Sequence, residues 1–140
     1  MTAQKKTLLD YELSASLPEI EKLAIVIENI LGDYQEHIFA INLCVDELIT
    51  NTITYGLKFA SNNTIYVQIN VTNDFLEVVI KDTAPQFNPF TQAPEPDVTA
   101  SLEDRKIGGL GVFLTKKLMT ECHSHYDGNG NLTTLRKALA

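Results

Sequence analysis

A chain of 140 residues, 44% hydrophobic and 21% charged, has the composition of an ordinary soluble globular protein and predicts one domain over 1–140. Eighteen acidic residues against eleven basic ones give a net charge of −7, which argues against general nucleic-acid binding and against docking on anionic lipid. A chain this long can bury about two-thirds of its unfolded surface and needs no disulfide or metal staple. Its cysteines, Cys44 and Cys122, lack CxxC spacing and predict neither a zinc site nor a disulfide framework, with a reducing cytoplasm as the setting. The first 16 residues hold no signal-peptide core, and no run approaches the roughly 18 apolar residues of a membrane span.

In chain order, the partly alternating TLLDYELSA (7–15) predicts a first strand. Ser16, Pro18 and Glu19 then read as a helix start, with Ser16 as the cap; the helix runs through Leu23, Ile27 and Ile30 and stops at Gly32-Asp33. Apolar residues at Ile38, Ile41, Val45, Leu48, Ile49 and Ile53 recur at the helical period and predict a second helix over 36–56, closed by Gly56. TIYVQINV (64–71) and FLEVVIKD (75–82) alternate as strands across a short loop, hence an antiparallel pair. Residues 83–106 hold four of the five prolines and no apolar period, which predicts a long loop of the lid or binding type. IGGLGVFLTKKLMTEC (107–122) turns from glycines into an amphipathic helix, and two strands joined at Asp127-Gly128-Asn129-Gly130 close the chain, with His123 and His125 as strand residues. This order predicts an α+β fold, a two-layer sandwich with helices on one face of a mostly antiparallel mixed sheet.

Three segments carry chemistry. Glu47 and Asn51 lie four residues apart, on one helix face, where a carboxylate and an amide can hold a water and a hard divalent cation. Asp82 ends a strand, where it can accept a hydrogen bond from an exocyclic amine; a turn-forming Asp is the ordinary alternative. Gly108, Gly109 and Gly111 open a helix, where free N–H groups and the positive dipole end suit an anion. Neither the P-loop nor the Rossmann fingerprint is present. Each segment alone is weak evidence; their order is more specific.

VDELITNTITYG (45–56), DTAPQFNPF (82–90) and GGLGVFLTKKLMTE (108–121) together resemble the GHKL ATPase superfamily, and within it the small anti-sigma-factor serine kinases and stand-alone histidine-kinase-like ATPases of bacteria. The resemblance covers roughly 36–138 and implies a Bergerat-type ATP-binding fold. It implies ATP and Mg²⁺ as cofactors, with Asn51 on the metal, Glu47 as general base and Asp82 on the adenine amine. By the same resemblance Gly108, Gly109, Leu110 and Gly111 surround the phosphates, Arg105 or Lys106 neutralises them, and Thr133 or Thr134 presents a hydroxyl near the base. Lys116 and Lys117 lie further along the helix and read as surface residues. Ala84 departs from the family's usual Gly, and its methyl group would crowd the base. The implied activity is phosphorylation of a serine on an anti-sigma-factor antagonist, with sequestration of a sigma factor, in a cytoplasmic homodimer. The alternatives are a weakly ATP-binding or non-catalytic protein–protein switch, favoured by Ala84, and the ATPase of a phosphorelay.

Overall fold

The computed structural model describes residues 5–92 and 109–140. Five strands form one sheet: β1 (Lys6–Ser14), β2 (Thr64–Val71), β3 (Phe75–Lys81), β4 (Glu121–Tyr126) and β5 (Asn131–Ala138). Their order across the sheet is β1-β2-β3-β5-β4, and all four ladders are antiparallel. Helices α1 (Leu17–Ile30) and α2 (Gln35–Asn51), a short helical turn α3 (Pro89–Gln92) and α4 (Gly109–Leu118) accompany the sheet, with a 3₁₀ turn at Gly32–Tyr34 and a π-helical turn at Thr52–Gly56. The result is the α+β sandwich expected from the order of the elements.

Strand parity decides which side chains meet the helices. Ile65, Val67 and Ile69 of β2, Leu76, Val78 and Ile80 of β3 and Leu135 of β5 are buried on one face. Against them pack Ile20, Leu23 and Ile27 of α1 and Ile41, Val45, Leu48 and Ile49 of α2, at the spacing of one helix stripe. Each such side chain contributes about 1.5–3 kcal/mol through burial. The opposite face carries a polar network. Glu77, buried there, accepts bonds from Lys5, Asn70 and Arg136, and Arg136 also reaches Glu121.

Several boundaries differ from the sequence reading. Ser16 has the extended backbone of an N-cap, yet its side chain makes no capping bond. The second helix changes geometry after Asn51: residues Thr52–Gly56 form a π-helical turn, with the Leu57 N–H donating to Thr52 O over 2.7 Å. The chain leaves it through Lys58 and Phe59 at φ +50° and +63°, left-handed conformations unusual for residues with a Cβ. The helix expected to reach Cys122 ends at Leu118, because Cys122 already pairs with Leu135 in the sheet. Pro89–Gln92 is helical inside the stretch read as loop; the remainder of that stretch, 93–106, lies outside the described residues.

Candidate functional site

Helix α2 brings Glu47 and Asn51 one turn apart, and Asn51 Nδ2 donates to Glu47 Oε1 at 3.1 Å. That bond commits the Asn51 amide N–H and leaves its Oδ1 as an acceptor. Helix α4 lies directly over the pair. A Cβ added at Gly111 would fall 1.8 Å from Glu47 Cδ and 2.2 Å from both carboxylate oxygens, so only glycine permits this approach. Burial pushes the Glu47 carboxyl above the usual carboxylate range; the Asn51 bond opposes the shift, and the charge of Asp46 adds to it.

Asp82 follows the end of β3 and is only 6% exposed. A buried carboxylate requires compensating donors. Oδ1 receives three: the Ala84 N–H at 2.9 Å, the Asn131 N–H at 3.2 Å and Asn131 Nδ2 at 3.0 Å. Among the described residues Oδ2 receives the Thr52 hydroxyl alone, at 3.4 Å. The backbone closes the same clamp, since the Asp82 N–H donates to Asn131 O at 3.0 Å. Gly130 allows the approach, because a Cβ there would lie 1.8 Å from the Asp82 carbonyl oxygen.

Asp82, Asn51 and Thr52 line one cavity of about 30 Å³, walled by Ile80, Ala84 and Phe87. Ala84, 3% exposed, turns its methyl group toward Gly56, whose missing Cβ would otherwise sit 2.9 Å away. The glycine thus makes room for the alanine. Of the two threonines, Thr133 lines the cavity and is buried. Thr134 pairs with Val79 and His123 on the opposite face, so strand parity takes it away from the site.

Gly109 and Leu110 begin α4, with Gly111 in the same turn. Arg105, Lys106 and Gly108 lie outside the described residues. Lys116 and Lys117 are exposed; one reaches the Phe90 carbonyl at 3.4 Å and the other sits 5.4 Å from the centre of the Phe113 ring. Sequence reasoning missed Thr52, Gly56, Gly130 and above all Asn131. A larger groove of about 450 Å³ between α1 and α2 is bordered by Leu17, Phe39 and Leu43. Glu21, Asn42 and Asp46 also line it, but no bond joins amide to carboxylate there: Asn42 Nδ2 donates to Ala24 O and Asp46 accepts from the Thr50 hydroxyl, and neither carboxylate is buried as Asp82 is. Among the described residues no cluster of three or more His, Cys, Asp or Glu side chains could hold a metal.

Residues 13–137 match the model of the histidine kinase-like ATPase domain. The serine-protein kinase RsbW of Listeria monocytogenes is 34% identical over 99 residues, covering 69% of this chain and 63% of the relative. The serine/threonine-protein kinase BtrW of Bordetella bronchiseptica is 28% identical over 96 residues, 68% of this chain and 67% of its own. RsbW of Bacillus subtilis is 26% identical over 100 residues, 65% and 59% respectively. The chain thus spans somewhat under two thirds of the length of the Listeria relative it matches.

Proposed function

The chain belongs to the histidine kinase-like ATPase domain family, and from that premise we propose that it binds ATP with Mg²⁺ and phosphorylates a serine on an anti-sigma-factor antagonist. The observation that carries this reading is one cavity lined by both Asn51 and a buried carboxylate with one sparsely bonded oxygen, Asp82 Oδ2, with Glu47 one helical turn from Asn51 and hydrogen-bonded to it. The donor set fits the nucleotide. Asp82 Oδ2 accepts an amine N–H, Asn51 Oδ1 serves a hard cation, and the first turn of α4 offers its N–H groups to phosphate oxygens.

When bound, ATP would supply the transferable phosphoryl group and a Mg²⁺ held through Asn51 would neutralise charge on it. Glu47 then takes the proton of the serine hydroxyl as the new O–P bond forms and the bond to the ADP oxygen breaks. Burial that raises its proton affinity brings the carboxyl closer to the working range of a general base. Arg105 and Lys106 are proposed to neutralise the phosphates. The proposed setting is a cytoplasmic homodimer that also sequesters a sigma factor and makes no direct contact with DNA. Among the described residues no helix is long and apolar enough to cross a membrane.

Calorimetry with Mg-ATP, followed by radiolabelled phosphoryl transfer to a candidate antagonist, tests the reading. Retained binding with lost transfer in Glu47→Ala supports it. Full transfer in that variant removes Glu47 as base, and no binding at millimolar ATP removes the kinase. The 30 Å³ cavity closed by Ala84 favours a second reading, a switch module that works through protein contacts without phosphoryl transfer. That module would bind a partner equally in wild type and Glu47→Ala.

A further inference from the structure

Among the described residues Asn131 is the most extensively hydrogen-bonded side chain at the site. Its Nδ2 donates to Asp82 Oδ1 at 3.0 Å, Pro85 O at 3.0 Å and Ala84 O at 3.4 Å. Its Oδ1 accepts the Phe87 N–H at 3.0 Å. The amide orientation is determined by that last bond, because a backbone N–H can only donate and must face the oxygen. One buried side chain therefore ties together the carboxylate at the strand end and the first turn of the following loop, 84–87.

We infer that Asn131 is a positioning residue for nucleobase choice: it occupies Asp82 Oδ1 and leaves Oδ2 as the acceptor facing the cavity. The inference rests on the nucleotide reading above. Three donors on Oδ1 and the backbone bond from the Asp82 N–H to Asn131 O hold the carboxylate against rotation that would exchange its oxygens. An acceptor held in this way welcomes a base that presents an amine. It opposes a base that presents a carbonyl, since two acceptors then face each other without a proton between them. Thr52 does not relieve that clash: its hydroxyl has a second acceptor, Leu48 O, at 3.0 Å. Loss of the Asn131 side chain removes one of the three donors on Oδ1, leaving the two backbone N–H groups, and also releases Pro85 O and the Phe87 N–H, so the loop and the carboxylate are held less firmly.

The test compares ATP with inosine triphosphate, in which a carbonyl replaces the 6-amino group. By calorimetry the wild type prefers ATP, and Asn131→Ala loses at least about tenfold of that preference, the equivalent of about 1.4 kcal/mol. In nucleotide-free protein, Asn131→Ala also speeds hydrogen exchange at the Phe87 amide. Asn131→Asp keeps the volume and the acceptor for Phe87 but sets a second carboxylate beside Asp82. Its ATP affinity relative to wild type recovers as pH falls, because a proton shared between the two oxygens restores the missing donor. This second variant also covers the case in which the alanine variant does not fold. An unchanged ATP preference in folded Asn131→Ala, or a wild-type pH profile in Asn131→Asp, overturns the inference while leaving the nucleotide reading intact. Failure of the wild type to bind either nucleotide removes both.

Discussion

Replacing Gly111 with alanine perturbs Glu47 and little else. The new Cβ would lie 1.8 Å from Glu47 Cδ, against a floor of 3.0 Å for real contacts, so the carboxyl must retreat by more than an ångström. It is the end of a flexible side chain, and the move is cheap in stability. An off-rotamer torsion costs about 0.5–1.5 kcal/mol, and the lost bond from Asn51 about as much again. Alanine in place of glycine in a helix returns up to about 1 kcal/mol. The melting temperature should therefore fall by only a few degrees. Catalysis responds differently, because misplacing a reacting group by 1 Å costs on the order of a hundredfold, or about 2.7 kcal/mol. Gly111→Ala is expected to lose about a hundredfold in phosphoryl transfer from radiolabelled ATP, with the dissociation constant for ATP nearly unchanged. In a Glu47→Ala background the clash disappears, so the same substitution should raise the melting temperature and leave the residual rate alone. Wild-type transfer by Gly111→Ala, or an equal loss in both backgrounds, would refute this account.

Three further outcomes follow from burial and charge. Because the folded state holds the Glu47 proton more tightly than the unfolded state, stability declines as pH rises from the ordinary carboxylate value through the raised one. Glu47→Gln should be flat over that window and more stable than wild type at neutral pH in chemical denaturation; a wild-type slope in the variant would exclude Glu47 as its source. Ala84→Gly removes the methyl group seated against Gly56, and should cost about 1–2 kcal/mol in stability while tightening ATP binding in calorimetry. Unchanged affinity would show that the methyl group does not restrict the cavity. Burial pushes the Glu77 carboxyl up, but the bonds from Lys5, Arg136 and Asn70 outweigh it and hold it below the usual range. Its contribution to stability is complete above the ordinary carboxylate value and disappears as pH falls through the lowered one. Arg136→Ala should cost about 1–3 kcal/mol at neutral pH and flatten that acid limb in urea titrations; an unchanged midpoint would mean that the network carries no net energy.

What the sequence made legible follows the reach of each signal. Strand alternation and the helix stripe are local, and β2, β3 and α2 lie where those periods place them. The i,i+4 spacing of Glu47 and Asn51 is equally local, and it became a hydrogen bond. The choice between Thr133 and Thr134 was not available: Leu132 and Leu135 stand at opposite parity in β5, and only the packing shows that Leu135 is the buried one, with Thr133 on its face. Asn131 was out of reach, since its role depends on partners 44 to 49 residues away, joined only by the pairing of β3 with β5. The π-helical turn was hidden for a related reason. TITYG continues the apolar period of α2, while Gly56 and Ala84 accommodate each other only in three dimensions.

Glu47 and Asp82 pose the problem of two carboxylates at one proposed anion site in a chain of net charge −7. Their hydrogen-bond inventories resolve it by giving them different work. Asp82 is held by three donors on one oxygen and by the bond from its own N–H to Asn131 O, so it behaves as a fixed acceptor with a single direction of approach. Glu47 has one donor among the described residues, the Asn51 amide, and lies under a glycine that leaves its carboxyl in contact with the backbone of α4. A group with few donors in a half-buried setting gains proton affinity, which a base requires and a binding residue does not. The positive partners for phosphate can then be backbone N–H groups and a cation, so an acidic surface is compatible with an anionic ligand. Exchanging the two environments would abolish both roles: a clamped Glu47 could not follow a proton, and a mobile Asp82 could not distinguish an amine from a carbonyl.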